Sequence, residues 1–206
     1  MSNVKIVDIP FEEVGNGIIW NIHEDVLEEE HWKHLHDFIN NDWFSWTYND
    51  GTTYNDGTGE HVSEGDTPQF VRHFFYRETI SNKTKFPTGF NQSIQIHEYF
   101  EMLPQIAMIV QKLLPNFNPL RIKANLLQPH PDAGEHHPWH VDSSNSHTSM
   151  IYYINDSDGD TFINKTKTQR ITPKANTAVI FPSNLWHASS NPTKGRRMVI
   201  NYMVGN

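Results

Sequence analysis

Two histidines and one aspartate carry the clearest chemical signal in this sequence. His140-Val141-Asp142 places an imidazole and a carboxylate two residues apart, and His187 follows Asp142 by 45 residues. Residues two apart on an extended strand point to the same side, so His140 and Asp142 could share one ion if His187 arrives from another strand. Two imidazoles and one carboxylate form the ligand set that leaves open positions on Fe(II). We therefore predict that His140, Asp142 and His187 are metal ligands and catalytic residues.

A second candidate group follows His187. Gly195-Arg196-Arg197 leads into an apolar, strand-like run. A guanidinium can bind a carboxylate through two parallel hydrogen bonds, so an arginine here could hold the far end of a dicarboxylate. The alternation of a strand does not decide whether Arg196 or Arg197 faces inward, and both stay candidates for cofactor binding.

Several other kinds of site are excluded by what the sequence lacks. Cysteine is absent, which rules out disulfides, a thiolate nucleophile and cysteine-held metal clusters. The chain has no phosphate-binding loop and no G-x-S-x-G elbow, and His97-Glu98-Tyr99-Phe100-Glu101 lacks the second histidine of H-E-x-x-H. Any metal must therefore be held by nitrogen and oxygen ligands.

Length and charge limit the class of protein. The 206 residues are enough for a single domain over 1–206, which we divide into a helical and loop-rich part (1–118) and a β-rich catalytic core (119–206). No apolar run approaches the roughly 18 residues of a membrane span and no secretory signal is visible, so we expect no membrane partner and a cytoplasmic location. Residues 1–66 carry 15 acidic and 2 basic side chains, which argues against a nucleic-acid partner.

Apolar periodicity outlines the first part of the chain. It predicts helices over residues 24–40 and 104–114, with Pro104 in the first turn and Pro115 after the end of the second helix. Asn-Asp-Gly sequences at 49–51 and 55–57 predict turns, belonging either to surface hairpins or to a loop that closes over a site.

From Leu120 onward the pattern becomes that of short strands separated by turn residues. The predicted strands are Leu120–Leu127, Thr148–Ile154, Thr161–Ile163, Thr177–Phe181, Trp186–Ser189 and Met198–Val204. Many short strands without intervening helices indicate an antiparallel sandwich or barrel.

These motifs together resemble the Fe(II)/2-oxoglutarate-dependent dioxygenases, and within them the prolyl 4-hydroxylase-like group. The resemblance covers about residues 120–204. It is carried, in order, by Trp139-His140-Val141-Asp142, Ile151-Tyr152-Tyr153-Ile154-Asn155, Asp158-Gly159-Asp160-Thr161-Phe162, Phe181-Pro182, His187 and Gly195-Arg196-Arg197. One departure is Asp158-Gly159, where the family often has Gly-Gly, so the turn there could differ.

The resemblance implies a fold, a cofactor and a reaction. The fold would be mainly β with some α: a double-stranded β-helix, or jelly roll, supported by N-terminal helices. Fe(II), 2-oxoglutarate and O2 would be used to hydroxylate a C–H bond, with release of succinate and CO2 and with ascorbate as a candidate reductant. The substrate would be a prolyl or other amino-acid residue of a peptide, or a small molecule.

The resemblance also implies roles for individual residues. His140, Asp142 and His187 match the iron ligands, and Arg197 matches the residue that pairs with the distal carboxylate of 2-oxoglutarate. Tyr153 resembles the tyrosine whose hydroxyl supports that carboxylate. Asn201, two alternations beyond Arg197, would point into the same pocket.

Two other functions remain open at this stage. A zinc hydrolase could use the same three ligands with an activated water, and would need a nearby Glu or Asp as general base. A non-catalytic jelly-roll module could retain the metal ligands for binding alone. We also expect His130, His136 and His137 to lie on a loop as solvated or hydrogen-bonded residues, and Trp139 to pack beside the metal site or serve as a platform for substrate.

Overall fold

The computed structural model describes residues 20–52, 66–77, 94–114, 118–145, 147–166 and 168–205. The predicted turn at residues 55–57, and with it most of the loop that could close over a site, lies outside these ranges. Within them, strands predominate and helices are few. This is the mainly β architecture that the sequence predicts.

Fourteen elements are described, in chain order. They are β1 (Asn21–His23), α1 (Glu29–Ile39), β2 (Thr47–Asn49), β3 (Gln69–Arg77), β4 (Ile94–Ile96), α2 (Glu98–Met102), α3 (Pro104–Leu113), β5 (Asn118–Leu127), β6 (Thr148–Tyr153), β7 (Thr161–Ile163), β8 (Gln169–Ile171), β9 (Thr177–Pro182), β10 (His187–Ser189) and β11 (Arg197–Gly205).

The strands form two antiparallel sheets. The larger has the order β1-β9-β6-β11-β5-β3-β2, with β4 added alongside β3, and the smaller has the order β10-β7-β8. The longest pairing joins β11 to β5, where Arg197 lies opposite Leu127 and Asn201 opposite Lys123. The interior strands β5, β6 and β11 are therefore hydrogen-bonded on both edges.

Strand alternation sends side chains to two different layers. Even-numbered residues such as Met150 and Tyr152 on β6 are buried in the larger hydrophobic cluster together with α1 and α3. Odd-numbered residues such as Ile151 and Tyr153 join a second cluster with Ile163 of the smaller sheet. Because both faces of β6 are covered, its residues 149–153 are all buried, and each fully buried large apolar side chain contributes about 1.5–3 kcal/mol.

The helices lie on the outer side of the larger sheet. Leu35 and Ile39 of α1, and Ile106 and Ile109 of α3, are buried there. Trp32 of α1 also donates its indole N–H to the carbonyl oxygen of Ile154 at 2.8 Å. None of the helices in the described ranges has the length and apolar character that a membrane-spanning helix requires.

The first helix starts later than predicted, at Glu29 rather than Glu24. Residues 21–23, just before the predicted helix, form a strand paired with β9. Asp25 has a positive φ of 49°, which a right-handed helix does not allow, so the helix cannot begin at Glu24. The Leu27 N–H then donates to Asn176 Oδ1 at 2.9 Å. Tertiary pairing therefore outweighs the helical periodicity of residues 24–28.

Five strands and one short helix were not predicted: β1, β2, β3, β4, β8 and α2. The most consequential is β3, which extends the larger sheet beside β5 with a register shift between His73 and Phe75. The shift interrupts the alternation that would have revealed the strand in the sequence.

Candidate metal centre and active site

His140, Asp142 and His187 meet at one point. One potential ligand atom from each lies within 4.8 Å of the other two, and the two imidazole rings are 4.3 Å apart between centroids. The backbone enforces this approach: the His140 N–H donates to the His187 carbonyl at 3.0 Å, and the His187 N–H donates back to His140 at 2.9 Å. The Asp142 N–H donates to the Ser183 carbonyl at 2.9 Å, and this bond fixes the backbone of Asp142, two positions after His140.

Both imidazoles have one ring nitrogen committed to the backbone. Nδ1 of His140 donates to the Pro138 carbonyl at 3.3 Å, and Nδ1 of His187 donates to the Leu185 carbonyl at 3.0 Å. A carbonyl oxygen only accepts, so this network assigns the proton to Nδ1 and leaves the Nε2 lone pair for a metal. Nε2 of His187 lies 3.8 Å from Oδ2 of Asp142, a separation that allows both atoms to bind one ion.

The Asp142 carboxylate is held from two sides. Arg121 Nη2 donates to Oδ1, and Ser149 Oγ donates to Oδ2 at 2.6 Å. Burial alone would raise the pKa of Asp142, but Arg121 and the two histidines outweigh it and hold the pKa well below its usual range. The group is therefore ionised at neutral pH, as a metal ligand must be.

His140 is neutral under the same conditions. Burial is the main cause that lowers the pKa of His140 to about 3, and the neighbouring His187 adds to it. An ionised carboxylate and a neutral imidazole whose Nε2 is free are what a divalent cation requires. The donor set thus fits Fe(II), with nitrogen and oxygen ligands and no sulfur.

Arg197 lies in the cavity that these ligands line. Its side chain is only 3% exposed; Nε donates to the Gly159 carbonyl at 2.9 Å and Nη2 donates to Thr161 Oγ1 at 2.7 Å. These two bonds fix the plane of the guanidinium and leave N–H groups for a ligand. A preoriented cation of this kind suits the distal carboxylate of a diacid.

Arg196, the competing candidate, points elsewhere. It is exposed and donates through Nη1 to Asn40 Oδ1 at 3.0 Å, outside the residues that line the cavity. Tyr153 is also not part of the lining. Its hydroxyl donates to Thr161 Oγ1 at 2.9 Å and its ring centroid lies 6.0 Å from the Arg197 guanidinium carbon, so it packs behind two residues that do line the cavity.

A row of amides extends from β11 across β5 to β3 in the larger sheet. Asn201 Nδ2 donates to Asn125 Oδ1 at 2.9 Å, Asn125 Nδ2 donates to Gln69 Oε1, and Gln69 Nε2 donates to the Gly51 carbonyl at 3.0 Å. All three amide side chains line the cavity. Asn201 therefore points into the pocket as the alternation predicts, and β3 supplies one member of the row.

Gly159 holds the turn before β7 close to the segment that follows β10. A Cβ built there would lie 2.7 Å from the Ser190 carbonyl oxygen and 2.8 Å from the Pro192 nitrogen. Only glycine fits this approach, and its own carbonyl accepts from Arg197. The Asp158 carboxylate accepts from the Thr193 N–H at 3.0 Å and from the Thr193 hydroxyl, so the turn is stabilised with Asp158 in place of glycine.

The loop residues before His140 pack and form hydrogen bonds within the protein. His137 is buried, and its ring nitrogens contact Asn191 Oδ1 at 2.7 Å and Ser189 Oγ at 3.0 Å. Trp139 is buried against Phe162 and Ala188, which agrees with a packing role. The ring of His136 packs against Trp139 at 5.3 Å between centroids.

Several side chains of the site were missed by the sequence analysis. Arg121 and Lys123 alternate with buried apolar residues on β5, and Gln69 arrives from β3. The alternation of Arg121, Lys123 and Asn125 with Ile122, Ala124 and Leu126 is a usable signal, because it marks a strand with one polar face. No comparable signal exists for Gln69, since β3 itself was not predicted.

The fold and the site together define a jelly-roll protein with a candidate metal centre of two histidines and one carboxylate. Residues 122–204 match the family model described as the 2OG-Fe(II) oxygenase superfamily. This match confirms the resemblance predicted from the motifs, and it includes all three candidate ligands and Arg197. Over residues 122–204 the chain is accordingly similar to oxidoreductases of the 2OG-Fe(II) oxygenase type.

Solved structures support the fold. An oxidoreductase of the 2OG-Fe(II) oxygenase family from Burkholderia pseudomallei aligns with a TM-score of 0.61 at 9% identity over 90% of this chain and 84% of that one. A prolyl hydroxylase from Trichoplax adhaerens, in complex with a hypoxia inducible factor peptide fragment, aligns with a TM-score of 0.56 at 14% identity, over 90% and 83%. A prolyl-4-hydroxylase from Pseudomonas putida gives 0.53 at 13% identity, over 91% and 92%.

At these identities the structural matches establish the jelly-roll architecture, in agreement with the predicted fold class. No curated protein matches the chain. The family match implies Fe(II), 2-oxoglutarate and O2 as cofactor and co-substrates, while ascorbate stays a prediction.

Proposed function

We propose that this protein uses Fe(II), 2-oxoglutarate and O2 to hydroxylate a C–H bond, releasing succinate and CO2. The observation that carries the proposal is the shared cavity of His140, Asp142, His187 and Arg197. Such a reaction requires a redox-active metal and a group that binds the carboxylate of the co-substrate. The candidate triad and the buried guanidinium in one cavity provide both.

In this proposal His140 and His187 bind Fe(II) through Nε2, and Asp142 binds it through a carboxylate oxygen. The bound metal supplies the oxidising chemistry with O2, which protein side chains alone do not provide. Ser149 and Arg121 orient the carboxylate, and the carbonyls of Pro138 and Leu185 orient the two rings. These hydrogen bonds to the three candidate ligands hold their side chains in place before a metal binds.

Arg197 binds the distal carboxylate of 2-oxoglutarate in this scheme, with Thr161 beside it. Tyr153 acts on the same end by holding the Thr161 hydroxyl, since burial raises the pKa of Tyr153 to about 12 and keeps its phenol protonated as a donor. Asn201, further along β11, is held in the cavity lining by its hydrogen bond to Asn125. Leu127, Ile151 and Ala188 add apolar side chains to the lining and limit the access of water.

The residues of the cavity indicate the substrate class less directly than they indicate the metal and the co-substrate. A prolyl or other amino-acid residue of a peptide is one candidate, and the peptide complex of the Trichoplax prolyl hydroxylase shows that such a fold accommodates one. A free amino acid or other small molecule is the second candidate. A zinc hydrolase is disfavoured by the cavity lining, which among the described residues includes no acidic side chain besides Asp142 to serve as general base.

Turnover of 2-oxoglutarate tests the proposed function. The full chain, purified without oxygen and supplied with Fe(II) and ascorbate, should convert labelled 2-oxoglutarate to succinate and CO2 slowly even without substrate once O2 is admitted, because ascorbate supplies the two electrons that a substrate C–H bond would otherwise provide. His140→Ala should reduce this turnover at least 100-fold, because one of three metal ligands is lost. Arg196→Met, outside the cavity, serves as the control. Metal-dependent peptide hydrolysis without 2-oxoglutarate turnover would contradict the proposal.

A further inference from the structure

The cavity contains a cation that the proposed reaction does not use. Lys123 lies on β5, on the inward-facing side that also carries Asn125 and Leu127, and it is 8% exposed. It lines the same cavity as the metal-ligand candidates and Arg197. Burying an ammonium without an anionic partner is unfavourable, so a lysine in this position requires an explanation.

Lys123 and Arg197 occupy different ends of the cavity. Along the β11–β5 pairing, Lys123 lies opposite Asn201 and Arg197 opposite Leu127, four positions apart. At about 3.4 Å per residue the two backbone positions are separated by roughly 14 Å. Arg197 contacts Thr161, whereas Lys123 shares the end where Arg121 meets Asp142.

The anionic groups near Lys123 are already committed. Asp142 is the one acidic side chain among the described residues of the lining, and it accepts from Arg121 and Ser149 and belongs to the metal triad. Burial and the adjacent Arg121 lower the pKa of Lys123 to about 7, and only Asp142 opposes this. A divalent cation on the triad would add positive charge to this end of the cavity, which favours an incoming anion.

The neighbouring amides are uncharged and bond to one another rather than to Lys123. The row formed by Asn201, Asn125 and Gln69 is linked by hydrogen bonds that end on a backbone carbonyl, so these side chains hold one another in place. Lys123 is therefore the amine that faces this end of the cavity, and an anion bound beside it would favour its ammonium form. Since Arg121 is bound to Asp142, a single compact ammonium is available, which suits a carboxylate better than a phosphate with its need for several donors.

We propose that the substrate carries a carboxylate that binds to the Lys123 ammonium, while Arg197 holds 2-oxoglutarate at the other end of the cavity. This inference rests on the proposed function and narrows its substrate class to acids, such as a free amino acid, a peptide C-terminus or an acidic side chain.

Matched acids and amides test the proposal. The full chain, loaded with Mn(II) and saturating 2-oxoglutarate so that no turnover occurs, is titrated calorimetrically with L-amino acids and N-acetyl dipeptides, each as the free acid and as the primary amide. At least one acid should bind tenfold or more tightly than its amide. Lys123→Met, similar in length and uncharged, should reduce that preference to threefold or less, and Lys123→Arg should retain most of it.

Affinity for 2-oxoglutarate, measured in the same way, separates the roles of the two cations. Arg197→Met should weaken 2-oxoglutarate binding at least tenfold, and Lys123→Met should weaken it much less. If Lys123→Met weakens it as much as Arg197→Met does, Lys123 belongs to the co-substrate site and the inference is wrong. Circular dichroism checks the folding of each variant, and if Lys123→Met does not fold, Lys123→Gln replaces it.

Three further results would overturn the inference. They are the absence of any acid that binds more tightly than its amide, an acid preference that survives in the neutral Lys123 variants, and a Lys123-dependent preference for phosphate esters over carboxylates. Failure of the proposed function would look different, because the wild-type chain would then neither bind 2-oxoglutarate nor form succinate from it.

Discussion

Arg196 and Arg197 are neighbours in the chain, yet their environments are opposite. Arg197 is the first residue of β11 and its side chain enters the space between the two sheets, where it is buried. Arg196 precedes the strand and reaches the surface near α1, where it meets Asn40. Alternation predicts that two adjacent residues diverge, but only the position of the strand in the sheets decides which of them faces inward.

Replacing these arginines in turn should separate their roles. Arg197→Met removes a charge-assisted grip worth about 1.5–3 kcal/mol, so the KM for 2-oxoglutarate in uncoupled turnover should rise roughly 10- to 100-fold. Arg196→Met should change it less than twofold. Equal effects of the two substitutions, or an effect of Arg196→Met alone, would contradict the assignment of Arg197 to the co-substrate.

Lys123 belongs to an alternation of polar and apolar residues that is visible in the sequence. Polar side chains at 121, 123 and 125 alternate with apolar ones at 122, 124 and 126. On a strand between two layers, such alternation marks the face that lines the cavity rather than solvent. The chemistry of that face was therefore readable, but its proximity to His140 and Asp142 was not.

At the scale of elements, the turn before β7 connects backbone packing to the site. Gly159 lies against the backbone at Ser190 and Pro192, and its carbonyl orients Arg197. Gly195, by contrast, has a φ of 67°, and a Cβ added there would have no atom within 4 Å. The two glycines are thus required for different reasons, one for space and one for conformation.

Alanine substitutions at these glycines should give different outcomes. Gly159→Ala forces the two backbone segments apart, so it should lower the free energy of unfolding by about 2–3 kcal/mol and also weaken 2-oxoglutarate binding. Gly195→Ala should cost about 1 kcal/mol from its positive φ alone. Urea denaturation and calorimetry measure both quantities. Unchanged 2-oxoglutarate affinity in a folded Gly159→Ala protein would show that this turn does not position Arg197.

Strand prediction succeeded where the pattern was local. The predicted strand at 161–163 coincides with β7, and those at 148–154 and 177–181 differ from β6 and β9 by one residue at one end. These segments are short, apolar and bounded by turn residues, so the signal is complete within each of them. The β3 strand and the late start of α1 depend on pairing with distant segments, which no local window contains.

At the scale of the whole molecule, Asn176 joins the N-terminal segment to the sheet. It is buried with a φ of 60°, its Oδ1 accepts from the Leu27 N–H at 2.9 Å and the Tyr152 hydroxyl at 2.8 Å, and its Nδ2 donates to the Leu27 carbonyl at 2.8 Å. One side chain thus satisfies both backbone groups of a residue 149 positions away.

Loss of this connection should destabilise the fold as a unit. Asn176→Ala leaves buried polar groups on Leu27 and Tyr152 without partners, so the free energy of unfolding should fall by about 2–4 kcal/mol in urea denaturation. Glycine tolerates the positive φ, so Asn176→Gly should lower the free energy of unfolding by less than Asn176→Ala does. The loss that remains in Asn176→Gly is the hydrogen-bond contribution. A change below about 0.5 kcal/mol for Asn176→Ala would show that the N-terminal segment is not coupled to the sheet.

The sequence by itself predicted the kind of chemistry, because His140, Asp142 and His187 have the types and spacing of metal ligands and the absence of cysteine restricts any metal to nitrogen and oxygen ligands. It also determined the β-rich core, since short apolar strands and their turns are encoded locally. Tertiary structure alone decided which arginine enters the cavity, that Lys123 and Gln69 line it, and that residues 21–23 pair as a strand. These outcomes depend on contacts between segments that are far apart in the chain, and no local pattern of residues specifies such contacts.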